Sequence, residues 1–227
     1  MIAELTEWAE ALARDTGVRA VVLAGAGPAF CAGADLTWMV RTATFTYDEN
    51  LADARRASRM FDAIDRLPMA VIGRVHGAAF GGGAGLAAVC DVVVAEDSAL
   101  FGFTEVKLGI VPAVISPYVL AKIGRSAARE LFLTGRRFSA QHAQEVGLVH
   151  AVVPSAQLDA TIDGVLREVL AAGPQAVAAA KRLVRDVLRA SADDVPDVTA
   201  QALAQRRASD EGREGIQAFL DKRKPAW

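Results

Sequence analysis

Two glycine-and-alanine segments and one isolated carboxylate carry the residue types and spacing that could do chemistry. The segment AGPAFCAGADL (26–36) follows the apolar run VRAVVLAG (18–25), and HGAAFGGGAGL (76–86) follows MAVIGRV (69–75). Each leads from a candidate strand into a candidate helix. Residues without bulk let a ligand approach the backbone closely. A helix start adds unpaired N–H donors and a partial positive charge. Two such loops side by side could aim two N–H groups at one oxygen, an oxyanion hole that needs no side chain. Tight packing between strand and helix would call for the same small residues. The Gly-Lys-Ser/Thr pattern of a phosphate loop is absent, and GAAFGG (77–82) matches no dinucleotide fingerprint.

The carboxylate is Glu105, set among Phe101, Phe103, Val106 and Leu108 in ALFGFTEVKLGIVP (99–112). Apolar neighbours raise a carboxyl pKa and suit it to proton transfer near neutral pH. The alternative is an exposed glutamate at a strand end, paired with Lys107. His76, before the glycine run, reads as a hydrogen-bonded core residue or as a catalyst; His142 and His150 fall in elements that look structural. No Ser-His-Asp spacing supports nucleophilic catalysis. Cys31 and Cys90 lie in apolar runs as small core residues and form neither a disulfide scaffold nor a metal-ligand pattern.

The elements that must position these residues follow from periodicity. Residues 2–15 put Leu5, Trp8 and Leu12 on one helical face, and 18–25 reads as a strand buried on both faces. Asp35 caps a short helix, 38–50 reads as a loosely ordered loop, and a helix runs over 49–66 up to Pro68. Strands at 69–75, 91–96 and 99–103 enclose the helix that ends near Val89. Beyond Pro112 helices are expected at 114–123, 126–134, 139–145, 156–171, 175–190, 196–209 and 212–223, with one strand at 148–154. The pattern is an α/β core with a helical C-terminal part, no internal repeat and one soft boundary at Gly173-Pro174.

The chain has 227 residues, 52% of them hydrophobic, and a formal net charge of −2. That supports a sizeable core and argues against nucleic-acid binding as the main function. No apolar run is long enough to span a membrane, and the acidic, amphipathic start is unlike a targeting peptide, so a cytoplasmic location is expected.

Three segments in order, FCAGADL (30–36), GAAFGGGAGLAAVCDVVVAEDSALFGFTEVKLGIVP (77–112) and EGREGIQAFLDKRKPAW (211–227), resemble the crotonase, or enoyl-CoA hydratase/isomerase, superfamily. The resemblance spans nearly the whole chain. It implies a spiral of ββα units over residues 1–173 and a helical trimerisation region over 174–227. It implies an acyl-CoA thioester as ligand, with coenzyme A as part of the substrate and no other cofactor or metal. The N–H groups of Ala34 and Gly82 match the family's oxyanion donors, and Glu105 matches its second catalytic glutamate. The first glutamate's position is Gly85. Ala32, Ala34, Asp35, Leu36, Phe219 and Lys222 match positions that hold coenzyme A, the last two often from a neighbouring subunit of a homotrimer or dimer of trimers. The strand pair that opens family members is not seen before the first helix, which implies an open sheet edge. The segments GGGAGL and EVKLGIVPAVISPYVLAKIG (105–124) look like the branch that hydrates methylglutaconyl-CoA and related enoyl-CoAs. A hydratase, a single-glutamate isomerase and an inactive acyl-CoA binder are all compatible with this pattern.

Overall fold

The structure is a computed structural model that describes residues 1–227. In chain order the elements are α1 (Ile2–Leu12), β1 (Ala20–Ala24), α2 (Leu36–Thr42), α3 (Tyr47–Asp65), β2 (Ala70–Val75), β3 (Ala78–Phe80), α4 (Gly82–Val89), β4 (Val92–Glu96), β5 (Leu100–Gly102), α5 (Ser116–Thr134), β6 (Arg137–Ser139), α6 (Ala140–Glu145), β7 (Ala151–Val153), α7 (Leu158–Ala171), α8 (Pro174–Arg189), α9 (Val195–Ala208) and α10 (Asp210–Leu220). They divide into two compact units. One holds Met1–Asp15, Val21–Leu67 and Val71–Gly164; the other holds Thr16–Ala20, Pro68–Ala70 and Val165–Trp227.

In the first unit a larger sheet has the order β1-β2-β4-β7 and a smaller one the order β3-β5-β6. The pairs β2/β4, β4/β7 and β3/β5 are parallel; β5/β6 is antiparallel. The chain passes repeatedly from the larger sheet to the smaller and then into a helix: β2 to β3 to α4, and β4 to β5 to α5. After β1 the same passage shrinks to an isolated parallel bridge, Cys31 to Ala79, before α2. This is the expected α/β spiral of ββα units. The repeat is in the backbone path, where sequence reading found none. The strand runs are continuous apolar stretches because both faces of the central strands are covered: Val71, Ile72, Val75, Val93, Val94 and Ala95 are all buried.

Several expectations are corrected. The first strand is not buried on both faces: β1 is the sheet edge, and its Val22 is 39% exposed. On α1 the buried residue is Ala9, and Trp8 faces outward. The stretch 38–50 is not a loose loop. Asp35 Oδ1 accepts from the Trp38 amide at 2.9 Å to cap α2, as expected, and Thr46 and Glu49 form a reciprocal capping box that starts α3 at Tyr47. Threonine-rich sequence hid that start, since β-branched residues weaken a helical reading. The strands β3 and β6 were missed because β3 lies inside the glycine-and-alanine segment and β6 sits between two helical runs, with no apolar run of its own to mark either. Helices expected at 114–123 and 126–134 meet in α5 around Gly124, whose φ of 68° breaks the helical path.

The second unit is helical. Glu211 at the start of α10 accepts from the Gln175 and Ala176 amides, at 2.9 and 2.7 Å, and so caps α8; Arg206 pairs with it at 2.9 Å. The tail folds back on α10, where Glu214 receives Arg223 and the Ala226 amide. Those contacts hold the Glu214 carboxyl down at about 2. Neither α8 nor α9 buries a residue, although α8 is strongly two-faced.

Candidate active site

The two glycine loops lie side by side because backbone hydrogen bonds join them. Phe30 N donates to His76 O at 2.9 Å, Cys31 N to Ala78 O at 3.0 Å, and Phe80 N back to Cys31 O at 3.0 Å. His76 Nε2 sits 2.9 Å from Gly27 O, which makes this histidine a strut between the loops. Glu96 accepts from the Gly77 amide at 2.7 Å and steadies the crossing from β2 to β3. That bond lowers the Glu96 carboxyl below its ordinary value.

The glycines of GGGAG divide into different jobs. Gly81 precedes α4 at φ 52° and ψ −119°, a conformation that only glycine adopts readily. A Cβ on Gly83 would overlap the Cys31 carbonyl oxygen and stand 2.8 Å from Cys31 Cβ, so the close approach of the loops needs a bare α-carbon. A Cβ on Gly82 would meet nothing within 4 Å. The side-chain position at the first residue of α4 is therefore open. Neither the Gly82 nor the Ala34 amide has an intramolecular acceptor. Ala32, Ala34, Asp35 and Leu36 are exposed beside them, Leu36 at 77%.

Glu105 opens a 3-10 turn, Glu105–Leu108, closed by Gly109 in the left-handed region, rather than ending a strand. Its position is fixed from two sides. Gly81 N donates to Gly102 O at 2.9 Å, tying the end of β5 to the start of α4. Phe103 is fully buried, 5.1 Å edge-on to Phe132 and 5.8 Å from Phe138. Each such ring pair contributes about 0.5–1.5 kcal/mol beyond burial. Glu105 Oε1 lies 3.4 Å from where a Cβ on Gly81 would stand. Its Oε2 is buried without a hydrogen-bond partner. Burial raises the carboxyl above the ordinary glutamate value, outweighing the lowering effect of its own amide. The alternative pairing with Lys107 does not occur: that side chain is exposed, and Glu105 forms no ion pair.

Other sequence candidates are structural. His150 Nδ1 accepts from the Val93 amide at 2.9 Å, and its burial lowers the imidazole pKa. Arg74 is committed to Asp159 at 2.6 Å. Cys90 is buried with Sγ 3.2 Å from Leu86 O. Phe219 and Lys222 lie at the end of α10 in the second unit, with Phe219 82% exposed. Lys222, at φ 53°, is the only non-glycine with positive φ. No group of three or more His, Cys, Asp or Glu is placed to hold a metal ion, and no helix is long and apolar enough to cross a membrane. Sequence reading missed Ile115 and Phe61, which close the space at Gly85; only tertiary packing brings them there.

The fold is thus an α/β spiral with an unbonded amide at the Gly82 helix start and a desolvated carboxyl packed against Gly81. The family model for enoyl-CoA hydratase/isomerase matches residues 1–227, and the chain belongs to that family. It is 34% identical to the 2,3-dehydroadipyl-CoA hydratase of Escherichia coli, over 99% of this chain and 87% of the relative. Among solved structures, an enoyl-CoA hydratase from Shewanella pealeana superposes with a TM-score of 0.95 at 38% identity, covering 100% of this chain and 85% of that one. An enoyl-CoA hydratase from Mycobacterium smegmatis superposes with a TM-score of 0.94 at 36% identity, covering 100% and 88%.

Proposed function

We propose that this chain adds water to a 2-enoyl-CoA, with the thioester oxygen held by the Ala34 and Gly82 amides and the proton carried by Glu105. The observation that carries the reading is the Glu105 carboxyl, whose Oε1 lies against the glycine start of α4 and whose Oε2 is buried without a partner. The Glu105 carboxylate takes a proton from water as the hydroxyl oxygen bonds to the β-carbon. The double-bond electron pair moves onto the thioester as an enolate, whose oxygen gains the two N–H bonds. Glu105 then returns the proton to the α-carbon, and one water has been added. Each oxyanion donor contributes about 3–4 kcal/mol to such a barrier, and a positioned acid/base about 10²–10⁴-fold in rate.

Ala32, Ala34, Asp35 and Leu36 at the first loop are assigned to coenzyme A, with Phe219 at the end of α10 and Lys222 just beyond it supplied by a neighbouring subunit. No cofactor beyond the substrate's own coenzyme A is invoked. The working form is a homotrimer or dimer of trimers in the cytoplasm. Methylglutaconyl-CoA or a related branched or carboxylated acyl chain is the proposed substrate; the Escherichia coli relative is named for 2,3-dehydroadipyl-CoA, also an unsaturated acyl thioester. A second reading is an isomerase, favoured by the absence of any acid at Gly85, since one base suffices to move a proton between carbons.

Glu105→Gln assayed with crotonyl-CoA and methylglutaconyl-CoA tests the reading. A loss of 10²-fold or more in kcat with unchanged binding is expected. Full activity in that variant overturns the assignment. Proton exchange at the α-carbon without water addition favours the isomerase. Binding of CoA esters with no turnover in the wild type makes the chain an acyl-CoA binder.

A further inference from the structure

The helix start is open at Gly82 and closed one turn later at Gly85. A Cβ on Gly85 would overlap Cγ2 of Ile115, and it would stand 2.9 Å from Ile115 Cβ and 3.1 Å from Phe61 Cε1. Both neighbours are core residues: Ile115 is 1% exposed and Phe61 3%. A new rotamer of Ile115 does not clear the space, because its Cβ is itself too close. The Ile115 backbone is held in turn, with the Ser116 amide on Ala113 O at 3.2 Å and Ile115 O accepting from Val119 at 3.1 Å. Gly85 N donates to Gly81 O at 3.1 Å, so position 85 lies one helical turn behind the residue that faces Glu105. Positions 85 and 115 therefore share one volume, and the chain gives it to a branched apolar side chain.

We propose that Ile115 is a specificity-determining residue that holds this site to a single carboxylate, by filling the volume a side chain at position 85 would need. The inference rests on the reading of Glu105 as the proton carrier. Proton traffic then passes through one carboxyl, and the ground one turn behind it stays apolar. Exchanging the volume, with glutamate at 85 and glycine at 115, would seat a second carboxylate near the first. Two interacting carboxyls titrate as a pair and separate their apparent pKa values. The backbone accepts glycine at position 115, the N-cap of α5, and the cavity that Ile115→Gly leaves on its own is the one the glutamate at 85 would fill.

Four proteins test this: wild type, Gly85→Glu, Ile115→Gly and the double variant, each followed by thermal unfolding and by the pH profile of kcat/KM with crotonyl-CoA. Gly85→Glu alone is expected to lower the melting temperature by roughly 5 °C or more, the scale of a severe core clash in a chain of this size. The double variant is expected to recover at least half of the summed losses and to show a second ionisation that the wild type lacks. Melting losses that simply add, or a Gly85→Glu protein as stable as wild type, overturn the shared volume. Recovered stability with an unchanged pH profile reduces Ile115 to core packing and overturns the specificity role. Turnover missing from all four proteins, with the melting temperatures still coupled, overturns the reading of Glu105 and leaves the shared volume standing.

Discussion

At the scale of single residues, Gly82 and Gly83 adjoin in sequence and oppose each other in environment. Alanine at Gly82 enters open space, so a helix gain of roughly 0.5–1 kcal/mol is expected. On the proposed reading, the new methyl crowds the amide that holds the thioester oxygen. Gly82→Ala is therefore expected to melt slightly higher than wild type and to lose at least about tenfold in kcat/KM, a split that calorimetry and a hydration assay check together. Gly83→Ala pushes on the Cys31 carbonyl and is expected to lose both stability and activity. Glu105 makes a pH prediction with a definite sign. Its folded pKa lies above the ordinary value because of burial. In the window between the two values the native state keeps a proton that the unfolded chain has released, so stability falls as pH rises through it. Glu105→Gln is expected to melt higher than wild type above that window and equally below it, in a series of melts across pH. The kcat/KM of the wild type is expected to fall on the acid side with its midpoint above the ordinary glutamate value.

At the scale of elements, the end of α10 shows a local cost beside a proposed role. Arg223 N donates to Ala218 O at 3.0 Å and Lys222 N to Phe219 O at 3.2 Å, the bonding of a Schellman cap. Such caps favour glycine at the left-handed position, and this chain places Lys222 there. The left-handed conformation costs a side-chain-bearing residue about 1–2 kcal/mol. Lys222→Gly is expected to raise the melting temperature by about 2–4 °C and to raise KM for a CoA ester without a matching change in kcat. A melting gain with KM unchanged removes Lys222 from the coenzyme A assignment. The 3-10 turn of Glu105 is positioned in the opposite way, through the buried Phe103 and Phe138 and the half-buried Phe132 rather than through strain.

At the scale of the whole molecule, the second unit leaves apolar side chains in solvent: Leu188, Phe219 and Leu220 are each at least two-thirds exposed. Large apolar side chains left in solvent fit the subunit contacts that the trimer proposal requires. Sedimentation is expected to give three or six times the 23.9 kDa chain mass, and Leu188→Asp is expected to shift the protein toward the monomer. A monomer at micromolar wild-type concentration overturns the trimer assignment.

Much of this protein is carried by local pattern. Continuous apolar runs define β2 and β4, Asp35 caps α2, and the spaced signatures around Ala34, Gly82 and Glu105 point to the family, because each depends on residues near one another in the chain. The threonine-rich start of α3 and the three-residue strands β3 and β6 escaped, since their stabilising contacts are a side-chain cap and pairing with distant strands. The reason for each glycine was equally hidden, for glycine carries no pattern of its own. Only the tertiary structure decides that Gly82 faces open space, that Gly83 admits the Cys31 carbonyl, and that Gly85 is closed by Ile115 and Phe61. The sequence by itself determined which residue types are available for chemistry. The packing of segments distant in the chain decided which of them have room to act, because steric exclusion is a property of the neighbours a fold supplies.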